Sequence, residues 1–125
     1  MKFFIYALVI IIIISIICAW GTIASTKKID SMLSTLDKAK PSGEVVPENA
    51  IEVVKSLINK WEEDEFIISM FLPHHHLDEV KEKLVALEAY ANTDEFAEWR
   101  DATLVFKEEL LHIRDLLGVS TDNIL

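Results

Sequence analysis

Histidines are the side chains of this sequence best suited to chemistry: His74, His75 and His76 are consecutive, and His112 lies elsewhere in the chain. Zinc and copper sites need three or four ligands that converge on one point, whereas consecutive helical residues diverge by about 100° each. A metal site would therefore require His74 together with Asp78 and a distant ligand such as His112. We interpret the cluster instead as a polar corner between helices, and we predict no metal-binding residue. A pH switch is the remaining alternative, because imidazoles near a positive helix end resist protonation and would loosen that corner as the pH falls.

Patterns typical of catalysis are missing from the sequence. It contains no nucleophile paired with a base, no phosphate-binding glycine loop and no CxxC pair, and only three glycines are available to shape a loop around a substrate. We therefore expect a non-enzymatic protein without catalytic residues, cofactor or small-molecule substrate, and a hydrolytic enzyme is only the third hypothesis. Trp61 and Trp99 lie on apolar helix faces and are interpreted as core residues rather than ligand-stacking groups.

The charge of the chain is strongly asymmetric. Its 21 acids and 12 bases give a formal net charge of −9, and every acid follows residue 26. Nucleic acids and anionic lipid heads both bind basic surfaces, so this balance argues against docking on either and favours a solvated domain or a basic partner. The acidic run Glu62–Glu65 is interpreted as a solvated helix face, because adjacent helical residues point in different directions and cannot all face one cation.

An uncharged apolar stretch, Phe3–Thr26, must position everything that follows it. As a helix it would extend about 36 Å, which is enough to cross a hydrocarbon core of about 30 Å. Phe3, Phe4 and Tyr6 lie near one end and Trp20 near the other, as is typical of rings at the two membrane interfaces. We predict an uncleaved single-pass anchor in the cell membrane. A cleaved signal peptide is the alternative, because the stretch follows a positive charge and contains small residues at cleavage spacing.

The orientation of the anchor is indicated by two opposing signals. Lys27 and Lys28 follow the stretch and favour a cytoplasmic domain, whereas an apolar stretch at the very amino terminus is typical of signal anchors that leave that terminus inside. We expect the domain to be extracytoplasmic. Cys18, the only cysteine, lies within the stretch and follows Ile17, so we predict neither an intrachain disulfide nor a lipid attachment.

Apolar residues recur at three- and four-residue spacings through the rest of the chain and predict an all-α protein. Residues 27–40 are predicted to continue the anchor as an amphipathic stalk, and Pro41–Pro47 to form a hinge. Three further helices are predicted: one between Pro47 and Pro73, one around Leu77–Ala91 and one from Phe96 to Gly118. Gly118 is expected in a left-handed terminal conformation, with residues 119–125 folding back on the bundle.

An antiparallel three-helix bundle is the economical way to bury these three apolar faces. We therefore predict a transmembrane anchor at residues 1–26, a stalk and hinge at 27–46, and a helical bundle domain at 47–125. The seam of the last helix repeats over three heptads, so the alternative is that it pairs with the same helix of a second chain.

Sparse residues beyond the anchor carry a family resemblance: Trp61, the segment His74-x-x-Leu77-Asp78, and the closing Asn123-Ile124-Leu125. On these residues the chain resembles the uncharacterised bacterial family known as domain of unknown function 4363, small proteins of Firmicutes with an amino-terminal span. The resemblance implies a membrane-anchored helical protein of a Gram-positive bacterium, with a link to integral membrane proteins of spore-forming species. It implies no activity.

Two functional hypotheses follow from the sequence. The first is a non-enzymatic, membrane-anchored interaction protein that serves as an accessory subunit of an integral membrane partner or associates with itself. The second is a metal- or pH-responsive sensor that uses the cluster from His74 to His76.

Overall fold

The computed structural model describes the backbone of residues 1–39 and 46–124, and the side chains of residues 1–39 and 46–118. Within these ranges the chain forms four helices and no strand: α1 is Lys2–Asp37, α2 is Ala50–Ser69, α3 is His74–Ala91 and α4 is Phe96–Ile124. The predicted all-α class is confirmed. The predicted hinge Pro41–Pro47 lies largely outside the described residues.

Proline and asparagine residues separate the helices. Pro73 precedes α3 in an extended conformation, with φ −60° and ψ 149°, and its ring prevents α2 from continuing through it. Asn49 precedes α2, and its side-chain Nδ2 donates a hydrogen bond of 2.9 Å to the carbonyl of Lys38 near the end of α1. This bond connects the end of one helix to the start of the next.

The four helices pack in a ring, in which α1 contacts α2 and α4, and α3 contacts the same two helices. Cross-helix contacts run in antiparallel order. Lys28 of α1 pairs with Asp64 of α2, and Lys60 of α2 donates to Ser31 of α1. Among the described residues the two diagonal pairs, α1 with α3 and α2 with α4, have no direct packing. The arrangement is that of an up-and-down four-helix bundle.

The second half of α1 is a member of this bundle. Ile29 and Met32 are fully buried and Leu36 is 3% exposed, so the face predicted for a stalk lies in the core. The predicted three-helix bundle is therefore not confirmed, because α1 supplies a fourth helix. The core also contains Trp61, Leu84, Leu87, Trp99, Phe106, Leu110 and Ile113.

The first half of α1 has no cover. None of residues 1–17 is buried, whereas Gly21, Thr22 and Ser25 are. We call residues 2–20 the anchor half of α1 and residues 21–37 its bundle half. Within the described part of the chain, α1 is the one helix long and apolar enough to cross a membrane, judged by its length and composition.

The end of α4 differs from the prediction. The sequence predicts that the helix ends at Gly118, but α4 continues to Ile124. Glycine permits the left-handed conformation without requiring it, and here it stays helical. The segment from residue 119 onward is thus helical up to Ile124, and the predicted fold-back of its apolar side chains lies outside the described side chains.

Candidate functional site

A cluster of histidines and carboxylates joins α3 to α4. His76 and Glu79 are one turn apart on α3, and Glu109 and His112 are one turn apart on α4. Because residues three apart lie on the same side of a helix, each helix directs one histidine and one glutamate to the other. We call these four residues the α3–α4 cluster.

Potential ligand atoms in this cluster lie close together. One ligand atom each from His76, Glu79 and Glu109 lie within 4.8 Å of one another. The fourth member, His112, has its ring centroid 5.6 Å from that of His76. His76 and Glu109 are half-buried, whereas Glu79 and His112 are exposed. The cluster therefore lies at the edge of the α3–α4 contact, open to solvent on one side.

The pKa of Glu109 is raised in this cluster. Burial raises the pKa of Glu109, and a hydrogen bond with Glu79 and the negative charge of that residue raise it further. Lys83 and His112 oppose this shift only in part. Two carboxylates this close repel each other, so a proton or a cation between them would stabilise the pair.

The histidine at the same place resists protonation. Burial lowers the pKa of His76, the neighbouring charges of His75 and His112 lower it further, and Glu79 opposes them. The ring of His75 stacks beside it with centroids 3.9 Å apart. The lowered pKa favours the neutral form of His76, in which one ring nitrogen can accept a hydrogen bond or bind a metal.

Two buried atoms of the cluster lack hydrogen-bond partners within the described residues: Nδ1 of His76 and Oε1 of Glu109. Buried polar groups are nearly always satisfied, so such atoms require an explanation. Chemically, the cluster offers two imidazoles and two carboxylates, all of which are potential metal ligands.

The site considered from sequence does not assemble. His74, His75 and Asp78 are exposed, and His74 and Asp78 are absent from the α3–α4 cluster. Of the residues considered in sequence, His76 and His112 come together. Sequence reasoning missed Glu79 and Glu109. The available signal was the reciprocal spacing His76-x-x-Glu79 and Glu109-x-x-His112, which places matching ligand pairs on two facing helices.

The acidic run Glu62–Glu65 is divided by the fold. Glu62 and Glu63 are exposed, as expected of a solvated face. Asp64 pairs with Lys28 of α1 at 2.8 Å, and Glu65 pairs with Lys81 of α3 at 2.5 Å. The last two acids of the run therefore connect α2 to its two neighbours.

The two tryptophans considered as ligand-stacking groups are core residues. Trp99 is fully buried and Trp61 is 3% exposed. Both belong to the hydrophobic cluster that all four helices share. The interpretation of both rings as core is confirmed.

Comparison with known proteins identifies one family. The family model described as a domain of unknown function (DUF4363) matches residues 21–124. The chain matches none of the curated proteins and none of the solved structures with which it was compared. The matched region begins at Gly21, the first buried residue of α1, so it covers the bundle half and leaves out the anchor half.

Proposed function

The chain belongs to the DUF4363 family, and from this premise we propose that it is a non-enzymatic, membrane-anchored interaction module. In this proposal the anchor half of α1 spans the cell membrane once, and the four-helix bundle is held at the bilayer surface. The module serves as an accessory subunit of an integral membrane partner, with the bundle on the extracytoplasmic side.

One observation carries the proposal: α1 is a single helix from Lys2 to Asp37, with an exposed apolar first half and a buried second half. The exposed half has no charged residue after Lys2. Its only serine, Ser15, donates a hydrogen bond of 2.8 Å to the carbonyl of Ile11 within the helix. A helix that satisfies its own backbone groups and is apolar on all sides is suited to lipid.

The bundle begins where the anchor half ends. The ring of Phe71, in the connection between α2 and α3, lies against Gly21. At this end Trp20, Phe66 and Met70 are 68%, 71% and 62% exposed. Exposed rings beside the end of an apolar helix support a position at the membrane interface, where aromatic side chains are favoured. They also support a partner that lies partly in the membrane.

Charge supports the kind of partner. The chain has a net charge of −9, and Glu62 and Glu63 on α2 are exposed one to two turns from the proposed interface. Such a surface favours a partner with basic segments close to the membrane over the anionic lipid heads themselves. The alternative arrangement is self-association of two chains through the anchor half.

The experiment is site-specific photocrosslinking of the full chain in native membranes. A photoreactive residue replaces Ile12 or Ile16 in the anchor half, or Phe66 or Met70 at the proposed interface, and Glu82 on the solvent side of α3 serves as the matched control. We expect crosslinks to one integral membrane protein from the first four positions and none from Glu82. The intact mass of the chain in the same sample is expected to include the anchor half.

Three results would contradict the proposal. A mature chain that lacks the anchor half would show that this segment is a cleaved signal. Crosslinks confined to lipid at all four positions would show an anchored protein without the proposed partner, whereas crosslinks between two copies of the chain would show self-association instead.

A second candidate function, a metal- or pH-responsive sensor, is favoured by the proximity of His76 to Glu79 and Glu109. In this function an ion or a proton at the α3–α4 cluster alters how the bundle engages its partner. Replacement of His74, His75 and His76 by Gln separates the two functions. Crosslinking that is unchanged with added metal and across pH 5.5–8 in both proteins supports the interaction module alone.

A further inference from the structure

We propose that His76, Glu79, Glu109 and His112 form a binding site for one divalent transition-metal ion of the Zn²⁺ class, which links α3 to α4. This site goes beyond the anchoring role proposed above and does not depend on it. It holds whether or not the bound ion regulates a partner.

The spacing of the four residues supports a common site. His76-x-x-Glu79 runs along α3 and Glu109-x-x-His112 runs along α4, and the two helices are antiparallel neighbours. This places the histidines beside each other and the glutamates beside each other. Helical bundles build metal sites in this way, with inward glutamates and histidines three residues apart on facing helices.

The distances suit a site without its ion. Ligand atoms of His76, Glu79 and Glu109 lie within 4.8 Å of one another. In a tetrahedral zinc site with bonds of about 2.0–2.2 Å, the ligand atoms are about 3.4 Å apart. Side-chain rotation can supply this contraction, because Glu79 and His112 are exposed.

Unsatisfied atoms give the second, independent indication. Nδ1 of His76 and Oε1 of Glu109 are buried and have no hydrogen-bond partner in the described part of the chain. One is a potential nitrogen ligand and the other an oxygen ligand, and they belong to two different helices. A cation between them would satisfy both atoms and neutralise the repulsion between Glu79 and Glu109. Lys83 faces Glu109 but forms no ion pair with it among the described contacts.

The ligand set selects the class of ion. Calcium and magnesium prefer oxygen ligands throughout, so two imidazoles argue against them. Copper(I) and iron–sulfur sites prefer thiolates, and the only cysteine, Cys18, lies in the anchor half. Imidazole with carboxylate suits zinc and its neighbours in the first transition row.

The test uses the full chain in detergent, purified without a polyhistidine tag and treated with a chelator that is then removed. Zn²⁺ is added in competition with a coloured chelator, and Co²⁺ is added separately to record its visible spectrum. We expect one equivalent of tightly bound Zn²⁺, a tetrahedral Co²⁺ spectrum, and a higher melting temperature with Zn²⁺ than without it.

Variants locate the site. Glu109→Gln and His76→Gln are expected to weaken Zn²⁺ binding on the order of 100-fold, because each removes a direct ligand. His74→Gln is the matched control, because His74 lies two residues before His76 on the same helix and is exposed. It is expected to bind Zn²⁺ within about twofold of the unchanged chain. Melting curves in chelator confirm that each variant is folded.

Three outcomes would overturn the proposal. The first is the absence of stoichiometric binding by the unchanged, folded chain. The second is binding that survives Glu109→Gln but is lost in His74→Gln, which would indicate a surface histidine cluster. The third is an octahedral Co²⁺ spectrum that no variant alters, which would indicate loose association with surface carboxylates.

Discussion

The ring of Phe71 lies against the backbone of Gly21, at the point where α1 changes from exposed to buried. A methyl group on Gly21 would approach Cε2 of Phe71 to 2.6 Å and Cζ still more closely. The absence of a side chain on Gly21 therefore makes room for the Phe71 ring, and no unusual backbone angle is involved. This contact brings the connection between α2 and α3 to the first turn of the bundle half of α1.

Gly21→Ala is expected to destabilise the bundle by about 1 kcal/mol or more, because the Phe71 ring must leave its position. The measurement is urea unfolding of the full chain in detergent. Phe71→Ala alone also loses stability through lost burial.

The double variant provides the control. With the ring removed, Ala at position 21 should be neutral or stabilising by up to about 1 kcal/mol, since alanine is the better helix former. A Gly21→Ala cost that is the same in both backgrounds would show that the contact with Phe71 is not its cause.

Ile29 tests whether the bundle half of α1 belongs to the core. Ile29 is fully buried, so Ile29→Ala should lower the free energy of unfolding of the bundle by about 2–5 kcal/mol. Ser34, exposed on the same helix, is the matched position, and Ser34→Ala should change stability by less than about 0.5 kcal/mol. Equally small changes in stability at both positions would show that this part of α1 is a separate stalk and not a member of the bundle.

Asp64 tests the ion pair between α1 and α2. Its side chain is 14% exposed and pairs with Lys28 at 2.8 Å. Asp64→Asn should cost about 1 kcal/mol, and the loss should shrink in high salt. Glu63→Gln makes the same change of charge at an exposed neighbour and should cost nearly nothing. A similar loss of stability in both variants would show that the change in net charge, and not the ion pair, is the cause.

Glu109 gives the metal-free protein a specific pH dependence. Its pKa is raised above the ordinary value of 4.5, so the folded state holds this proton more tightly than the unfolded state does. The contribution of Glu109 to stability is therefore greatest below pH 4.5 and declines as the pH rises through the folded-state pKa. In chelator at pH 7.5, Glu109→Gln should raise the melting temperature by a few degrees.

That gain should shrink as the pH falls and disappear below pH 4.5, where Glu109 becomes neutral in both states. Glu108→Gln, at an exposed neighbouring position, is the control and should show neither the gain nor its pH dependence. A gain that is constant with pH would show that the contact with Glu79 is not responsible.

The side of the membrane is accessible to cysteine labelling. Cys18 is the only cysteine, so Cys18→Ser followed by Glu82→Cys leaves one thiol on the solvent side of α3. For the proposed orientation, an impermeant maleimide should label this thiol in intact cells. Labelling only after the cells are opened would place the bundle in the cytoplasm.

The helices themselves could be predicted from local pattern, because the apolar periodicities of α3 and α4 match their buried residues, such as Leu84, Leu87, Trp99 and Phe106. The place of α1 could not. Ile29, Met32 and Leu36 show the same periodicity, but a periodic face does not reveal what covers it. Because this face follows directly from the anchor, the sequence alone predicts a stalk.

The α3–α4 cluster could not be predicted from the sequence, for a different reason. Glu79 and Glu109 are separated by thirty positions and stand in charged segments where a single glutamate has no distinguishing context. The three consecutive histidines do not show which of them faces another helix. In the structure it is His76 that faces α4, where its ring lies near His112. Facing pairs become visible only once the antiparallel order of the two helices is known.

Because α1 is one continuous helix, it also fixes the rotational orientation of the bundle relative to the anchor half. Each residue added to or removed from a helix turns everything beyond it by about 100° and moves it by about 1.5 Å. The direction in which Phe71 and His76 face is therefore coupled to the side of the anchor that carries Ile12 or Ile16. A membrane protein that binds one face of the anchor half will therefore always face the same side of the bundle.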